Sequence, residues 1–571
     1  MKALKPRSPS RRSGAGVRRP ASSSAVDLGR AALSRGEWDQ AQRAFERAMR
    51  LAPSAEAAEG LAMAAWWLDR ADLVFDARDR AYVGYLDRKD YIAAARMAVW
   101  IGWDYSAFRG EQSVSQGWMR RAHQLLEGRG DCAERAWLAI REGNAALFED
   151  ANAEHARAFA DEAVRVARAV GAIDVEMVGR ALGGFALATS GAVADGMREL
   201  DGVNAAVLAG ELGDPVAIAL ACCYLVVACE RVRDTERAIQ WCRRLKQFCR
   251  TWGLRPLLAV CRTQYASVCV WRGDWSEAER ELTTATEELA ASRPAMTADG
   301  LVRLAELRRR QGRLDDATAL VEQTAAFPAS LAVRASIALD AGDGPEAVRL
   351  AERGLRQVPA HNRAERAPLV EILARAEASG GAADRARTAL TELVETARVA
   401  GTAPLAAAVS AVEGAIALAA GDAKAARPHL EDAVDRFERL HAPFDEGRAR
   451  LDLARALAET GDKPAAAAEV RRAVTRFESM AAAGDLARAR ELLARLGGGT
   501  TAAAQAAAST LTGREIEVVR MIAAGHNNSA IARRLFISAH TVHRHVANVF
   551  TKLDVPTRSA AVARAAQLGL L

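Results

Sequence analysis

Along most of the chain, small and apolar residues recur at fixed offsets from a turn. A turn residue is followed five places later by alanine and nine places later, usually, by a larger apolar residue. Twelve places on, another small or apolar residue is common. The pattern reads GEWDQAQRAFERA from Gly36, with Ala41, Phe45 and Ala48. It returns from Gly273, Gly312, Gly342, Gly381, Gly421 and Gly461, and a glycine-free copy starts at Arg233, with Ala238, Cys242 and Leu245. Most successive copies lie 39 or 40 residues apart. This spacing predicts helix, tight turn, helix: the turn residue supplies backbone freedom, the alanine lets two helices approach, and the larger residue one turn later fills the gap. A lone helix pair cannot bury its apolar face, so the pairs must stack into a solenoid.

The pattern stops at GGGTTAAAQAAAST, from Gly497 to Thr510, whose glycines and small polar residues predict a flexible linker over 497–509. A differently patterned unit follows. Thr512 and Glu515 form a T-x-x-E capping box before an apolar stripe of Ile516, Val519 and Ile522, with Gly525 as the stop. Asn528 is the expected N-cap of a short second helix carrying Ile531 and Leu535. Ser538 is the expected cap of a third, AHTVHRHVANVFTKL. At 100° per residue Val542, Val546, Val549, Phe550 and Leu553 share one face and point inward. Arg544 lies roughly opposite, flanked by His540, Ala547, Asn548 and Thr551. Two short helices joined by a tight turn in a basic module read as helix-turn-helix. The expected fold class is therefore all-α: an α-solenoid followed by a small four-helix module.

Composition agrees, with 50% hydrophobic but only 5% aromatic residues and 16 prolines in 571. The formal net charge of +6 is unevenly spread. Residues 1–26 hold seven basic residues and no acid, and residues 509–571 hold eight basic and three acidic, which leaves the middle at −6. Positive ends on an acidic body place any polyanion at the ends. The first 26 residues read as a disordered basic tail without the apolar core of a signal peptide, and residues 27–496 as the repeat region. The longest apolar run, Val216 to Cys229, is too short to span a bilayer, so no membrane partner and a cytoplasmic location are expected. The eight cysteines form no C-x-x-C and read as small core residues. Tryptophans concentrate at Trp66, Trp67, Trp100, Trp103 and Trp118, either as core fillers or as a ligand-binding cluster. No phosphate-binding glycine loop, nucleophile elbow or zincin motif occurs. An enzyme, a catalytic residue and a cofactor are not expected. The rings of His540, His543 and His545 diverge around the helix, so no metal is expected either.

Two resemblances follow from these residues. Leu28, Gly29, Ala41, Phe45, Ala48 and Pro53 fall at the spacings of a tetratricopeptide repeat. The later copies, which mostly lack the proline and run longer, resemble degenerate versions. Residues 510–571, through LTGREIEVV, AAGHNNSAIARRL, ISAHTVHRHVANVFTKL and TRSAAVARAAQLGLL, resemble the LuxR-type helix-turn-helix domain of bacterial transcription regulators. The resemblance implies a DNA-binding set of Asn528, Thr541, His543, Arg544, Ala547, Asn548 and Lys552. Thr541 and Lys552 would hold phosphates, and His543, Arg544 and Ala547 would face base edges. A closing helix from about Ser559 to Leu568 would pair two domains on a two-fold DNA site. Ser529 and Ala530 stand where the family often has lysine and glutamate, and Ala547 where some relatives have lysine. The implied function is a sequence-specific transcriptional regulator whose repeats receive a protein or small-molecule signal. The alternative is an interaction scaffold with a weak or vestigial DNA-binding domain.

Overall fold

The computed structural model describes residues 21–571 apart from 326, 328, 497–510, 536, 554, 556, 568, 569 and 571. The described residues form helices and turns, with no strand among them. The expected linker and residues 1–20 of the expected tail lie outside the described residues. The first helix, Ala21–Leu33, begins within the segment expected as tail and buries Ala25, because its apolar positions find a partner in the helix Trp38–Leu51.

Every turn inferred from the sequence joins two antiparallel helices, and each turn residue has a positive φ, including Arg233 at 57°. Four further turns of the same kind complete the series, at Asp69, Gly110, Ala151 and Gly191. Together they give twelve helix pairs among the described residues, with turns 30 to 42 residues apart. The offsets hold in these four as well, but with altered residues. The alanine slot is filled by Val74, Ser115, Ala156 and Gly196, and Arg78 takes the place of a large apolar residue.

Close approach of the paired helices explains the recurring offsets. The Phe45 ring lies so near Gly29 and Gly60 that a Cβ on either would come within 2.8 Å of it. Leu430 fills the corresponding notch at Gly414, where a Cβ would approach to 2.4 Å. Deleting such a filler, for example by Phe45→Ala, removes about 3–5 kcal/mol of packing.

The solenoid winds until its later pairs touch its earlier ones. Trp38 Nε1 donates to the Gly253 carbonyl at 3.1 Å, and the Ala153 amide donates to Asn362 Oδ1 at 3.2 Å. Arg293 bonds both Asp69 (2.9 Å) and the Trp66 carbonyl (2.9 Å). Further along, Trp271 Nε1 reaches the Leu440 carbonyl at 3.3 Å and Arg310 pairs with Asp445 at 3.3 Å. These contacts enclose side chains that a more open superhelix would leave in water. No helix among the described residues is long and apolar enough to cross a membrane.

Candidate nucleic-acid interface

The C-terminal module has four helices, Gly513–Ala523, Asn528–Leu535, Ala539–Leu553 and Arg558–Gln567. The Thr512–Glu515 capping box forms: Thr512 Oγ1 accepts from the Glu515 amide and Glu515 accepts from the Thr512 amide at 2.7 Å. Ser538 caps the third helix by accepting from the Thr541 amide at 3.0 Å. The second helix is capped one residue earlier than expected. Asn527 Oδ1 accepts from the Ala530 amide at 2.9 Å, while Asn528 accepts from Arg558 at 2.6 Å. Either of the adjacent asparagines has the chemistry of a cap, and Arg558, which claims the second, lies 30 residues on.

The third helix buries Val542, Val546, Val549 and Leu553 against Val518, Val519, Ile522 and Ile531, with Phe550 half-buried. Ala561 and Ala565 of the fourth helix close the core. The inward face is therefore the apolar one read from the sequence. The opposite face is covered at its N-terminal end, where His540, Thr541 and Arg544 are buried, and Thr551 further along stays exposed. This face docks on the repeat helix Ala423–Arg439 and comes near Glu469 of the helix Lys463–Met480.

Polar side chains of the module make this contact. Ser538 Oγ donates to Glu431 Oε2 at 3.2 Å, and Thr541 Oγ1 donates to the same oxygen. His540 Nδ1 bonds Asp435 Oδ1 at 2.9 Å, and its Nε2 lies 3.8 Å from Glu469 Oε1. The Arg544 guanidinium, 4% exposed, lies 3.8 Å from Glu431 Oε1, and its Nη1 has no hydrogen-bond partner. Arg544 is thus held near a carboxylate in a dry contact without the hydrogen bond that would fully repay its burial.

The protonation states follow from this arrangement. Burial alone would lower the His540 pKa, but its bond to Asp435 and the nearby Glu469 carboxylate override that and raise it to about 9. Glu469, buried yet facing His540 and Arg450, is held down at about 2. Burial lowers the pKa of Arg544, only partly offset by Glu431. His540, Asp435 and Glu438 also bring three possible ligand atoms within 4.8 Å of one another. No spacing along the chain signals this set, because two of its members belong to the repeats; Glu438 also pairs with Arg450 at 3.4 Å.

The remaining residues of the expected DNA-binding set lie around this contact. His543 is exposed, and Ala547 and Asn548 are half-buried. Lys552 donates to Glu515 at 2.8 Å, which ties the end of the third helix to the capping box of the first. Thr541 and Arg544 are brought together, but under the repeat carboxylates rather than on a free surface. Sequence reasoning names none of Glu431, Asp435 and Glu469, which lie on repeat helices far along the chain from the module.

Residues 509–565 match the family model described as bacterial regulatory proteins, luxR family. The C-terminal module is a LuxR-type helix-turn-helix domain. Tetratricopeptide repeat models match residues 26–73 and 412–481, the first and the last parts of the solenoid. The chain is 44% identical over 52 residues to the transcriptional regulatory protein LiaR of Bacillus subtilis, covering 9% of this chain and 25% of LiaR. It is 50% identical over 52 residues to the nitrate/nitrite response regulator protein homolog of Haemophilus influenzae, covering 9% and 25%. To the response regulator protein VraR of Staphylococcus aureus it is 43% identical over 61 residues, covering 11% and 29%. The chain thus spans less than a third of these relatives' own lengths. Among solved structures, the APC/C hetero-tetramer Cut9–Hcn1 aligns over 83% of this chain and 96% of that one, at 13% identity and a TM-score of 0.42.

Proposed function

We propose that this protein is a sequence-specific, DNA-binding transcriptional regulator whose repeat region holds its own recognition helix in a closed state. The docked face of the Ala539–Leu553 helix carries this reading: its polar residues are occupied by the carboxylates of Glu431, Asp435 and Glu469. Carboxylates at these positions offer the same hydrogen-bond acceptors and negative charge that DNA phosphates and guanine edges would offer. Docked, the helix cannot enter the roughly 12 Å wide major groove. Released, Arg544 is available to bond a guanine O6/N7 pair, Thr541 and Lys552 to hold phosphates, and His543, Ala547 and Asn548 to line the groove beside it. Asn528, on the second helix, supports the backbone contact. Two copies paired through the Arg558–Gln567 helix would read a two-fold site. A signal that favours the released state would regulate transcription through the difference in its affinity for the two states.

The test is selection of bound DNA from a random pool with the full-length Glu431→Gln/Asp435→Asn variant. Arg544→Ala is added to the same background as the control. A palindromic motif is expected from the double variant. One position of each half-site should relax with Arg544→Ala, at a cost of about 1–3 kcal/mol. Binding that enriches no sequence and simply decays with salt would refute the reading and leave an interaction scaffold in its place.

A further inference from the structure

A second group of charged side chains lies far from the DNA-reading face, inside the N-terminal part of the solenoid. Arg141, on the helix Ala133–Phe148, is 4% exposed, and none of its three guanidinium nitrogens has a hydrogen-bond partner. It is surrounded by indoles. Its Cζ lies 3.1 Å from the Trp103 ring centroid, 4.7 Å from Trp100 and 5.8 Å from Trp137. Arg78, fully buried, lies 5.4 Å from the same Trp100 ring. It gives its Nε to Asp104 at 3.1 Å but leaves both terminal nitrogens unpartnered. The indole N–H of Trp103 is unpartnered as well.

Buried polar groups are nearly always hydrogen-bonded, and a buried unpaired charge is among the most destabilising features a fold can carry. Cation–π contact offsets only part of that. Of the three arginines here, Arg78 is bonded to Asp104 and Arg293 to Asp69, whereas Arg141 has no bonded carboxylate and feels Asp104 and Asp214 only at longer range. Burial, with Arg78 nearby, pushes the Arg141 guanidinium down to about 9. The unpartnered acceptors in the group are Asp104 Oδ1 and the Tyr224 hydroxyl. A further observation points the same way. The helix carrying Trp100, Trp103 and Asp104 passes directly into a π-helical turn, Tyr105–Arg109, an irregularity that recurs at functional sites.

We propose that Arg141 and Arg78, with walls of Trp100, Trp103 and Trp137, bind a small organic carboxylate with an apolar body. The Arg141 charge, which no bonded carboxylate offsets, matches a monoanion, whereas a phosphate dianion would leave a buried negative charge. Two unpartnered guanidinium forks match the planar bidentate geometry of a carboxylate. Indole walls match an apolar body. Neither the site nor its ligand depends on the DNA-binding reading, and both are tested on the protein without DNA.

The experiment uses the full-length protein with benzoate, hexanoate, benzamide and inorganic phosphate. Tryptophan fluorescence and the thermal midpoint are followed at concentrations up to about 10 mM, ten times a ~1 mM dissociation constant. Saturable fluorescence change and a raised midpoint are expected with benzoate or hexanoate, and not with benzamide or phosphate. Arg141→Met should fold, keep its helical circular dichroism and lose the response. Arg141→Lys, which keeps the charge without the fork, should weaken it at least 10-fold. No response to either carboxylate, an equal response to benzamide, or an undiminished response in Arg141→Met would each overturn the proposal. If Arg141→Met does not fold, the contrast of benzoate with benzamide on the wild-type protein decides.

Discussion

Two arginines, both 4% exposed, show how differently the two ends of the solenoid handle a buried charge. Arg450, beside the docked domain, gives Nε to Glu446 at 2.8 Å and Nη1 to Glu469 at 2.7 Å. Its charge is compensated within the fold. Arg141, at the N-terminal end, has indoles around it and no hydrogen bond at all. The first is a structural ion-pair network, and the second leaves its donors to something outside the chain. Arg544 stands between them, with a carboxylate at 3.8 Å but an unpartnered nitrogen, as suits a side chain held in a contact it must be able to leave.

The largest expected effect breaks the compensated end. Arg450→Met removes the buried guanidinium shared by Glu446 and Glu469, leaving them only the more exposed Arg476 and Arg472, and should cost up to about 3–5 kcal/mol, read as a lower denaturant midpoint of the full chain. A loss under about 1 kcal/mol would erase the contrast with Arg141. Next comes the histidine of the docked helix. His540 has its pKa raised from the ordinary 6.5 to about 9 by Asp435 and Glu469, so its contribution to docking is fully present below pH 6.5 and is lost as pH rises through 9. The difference is on the order of 3 kcal/mol. DNA affinity of the wild-type chain should therefore rise between pH 6.5 and 9, and an Asp435→Asn chain should show a much flatter profile. The same slope in both would remove His540 from the closed state.

At the uncompensated end, Arg141→Met should cost nothing in the absence of ligand and gain about 1–3 kcal/mol, the opposite sign to Arg450→Met. A loss of stability would show that Arg141 has a structural partner. The smallest effects belong to the turns. Gly461, at φ 89°, should lose about 1 kcal/mol on change to alanine, because the strain of a left-handed conformation outweighs the lower entropy of the unfolded chain. Ala481, at φ 57°, should gain up to about 1 kcal/mol on change to glycine. Equal and opposite midpoint shifts smaller than the measurement error would separate neither.

The two ends also differ in how far the amino-acid sequence reveals them. The turns at Gly36 and Gly421 are legible because glycine, alanine and a large apolar residue all keep their offsets. Those at Asp69 and Ala151 are not, because the nine-place slot there holds Arg78 and Ala160 instead of a large apolar residue, and at Gly191 the alanine slot is itself glycine. The helix-turn-helix core is legible in Val542, Val546, Val549 and Leu553, whose burial depends on one helix's period. The outward position of Arg544 around that helix is equally legible. What covers Arg544 is not, since Glu431 and Asp435 lie more than 100 residues away. Arg141 is likewise marked by no motif, and its enclosure by Trp100, Trp103 and Trp137 shows only in the folded chain.

The most direct measurement is a DNA titration at fixed salt and pH, using the selected operator with full-length wild-type and Glu431→Gln/Asp435→Asn protein. Losing two hydrogen-bonded charges from the docked face should shift the balance toward the released helix and tighten binding at least about 10-fold. Both chains should keep the same sequence preference. Equal affinity of the two chains would mean that the repeat carboxylates do not restrain the recognition helix, and would contradict the closed state directly.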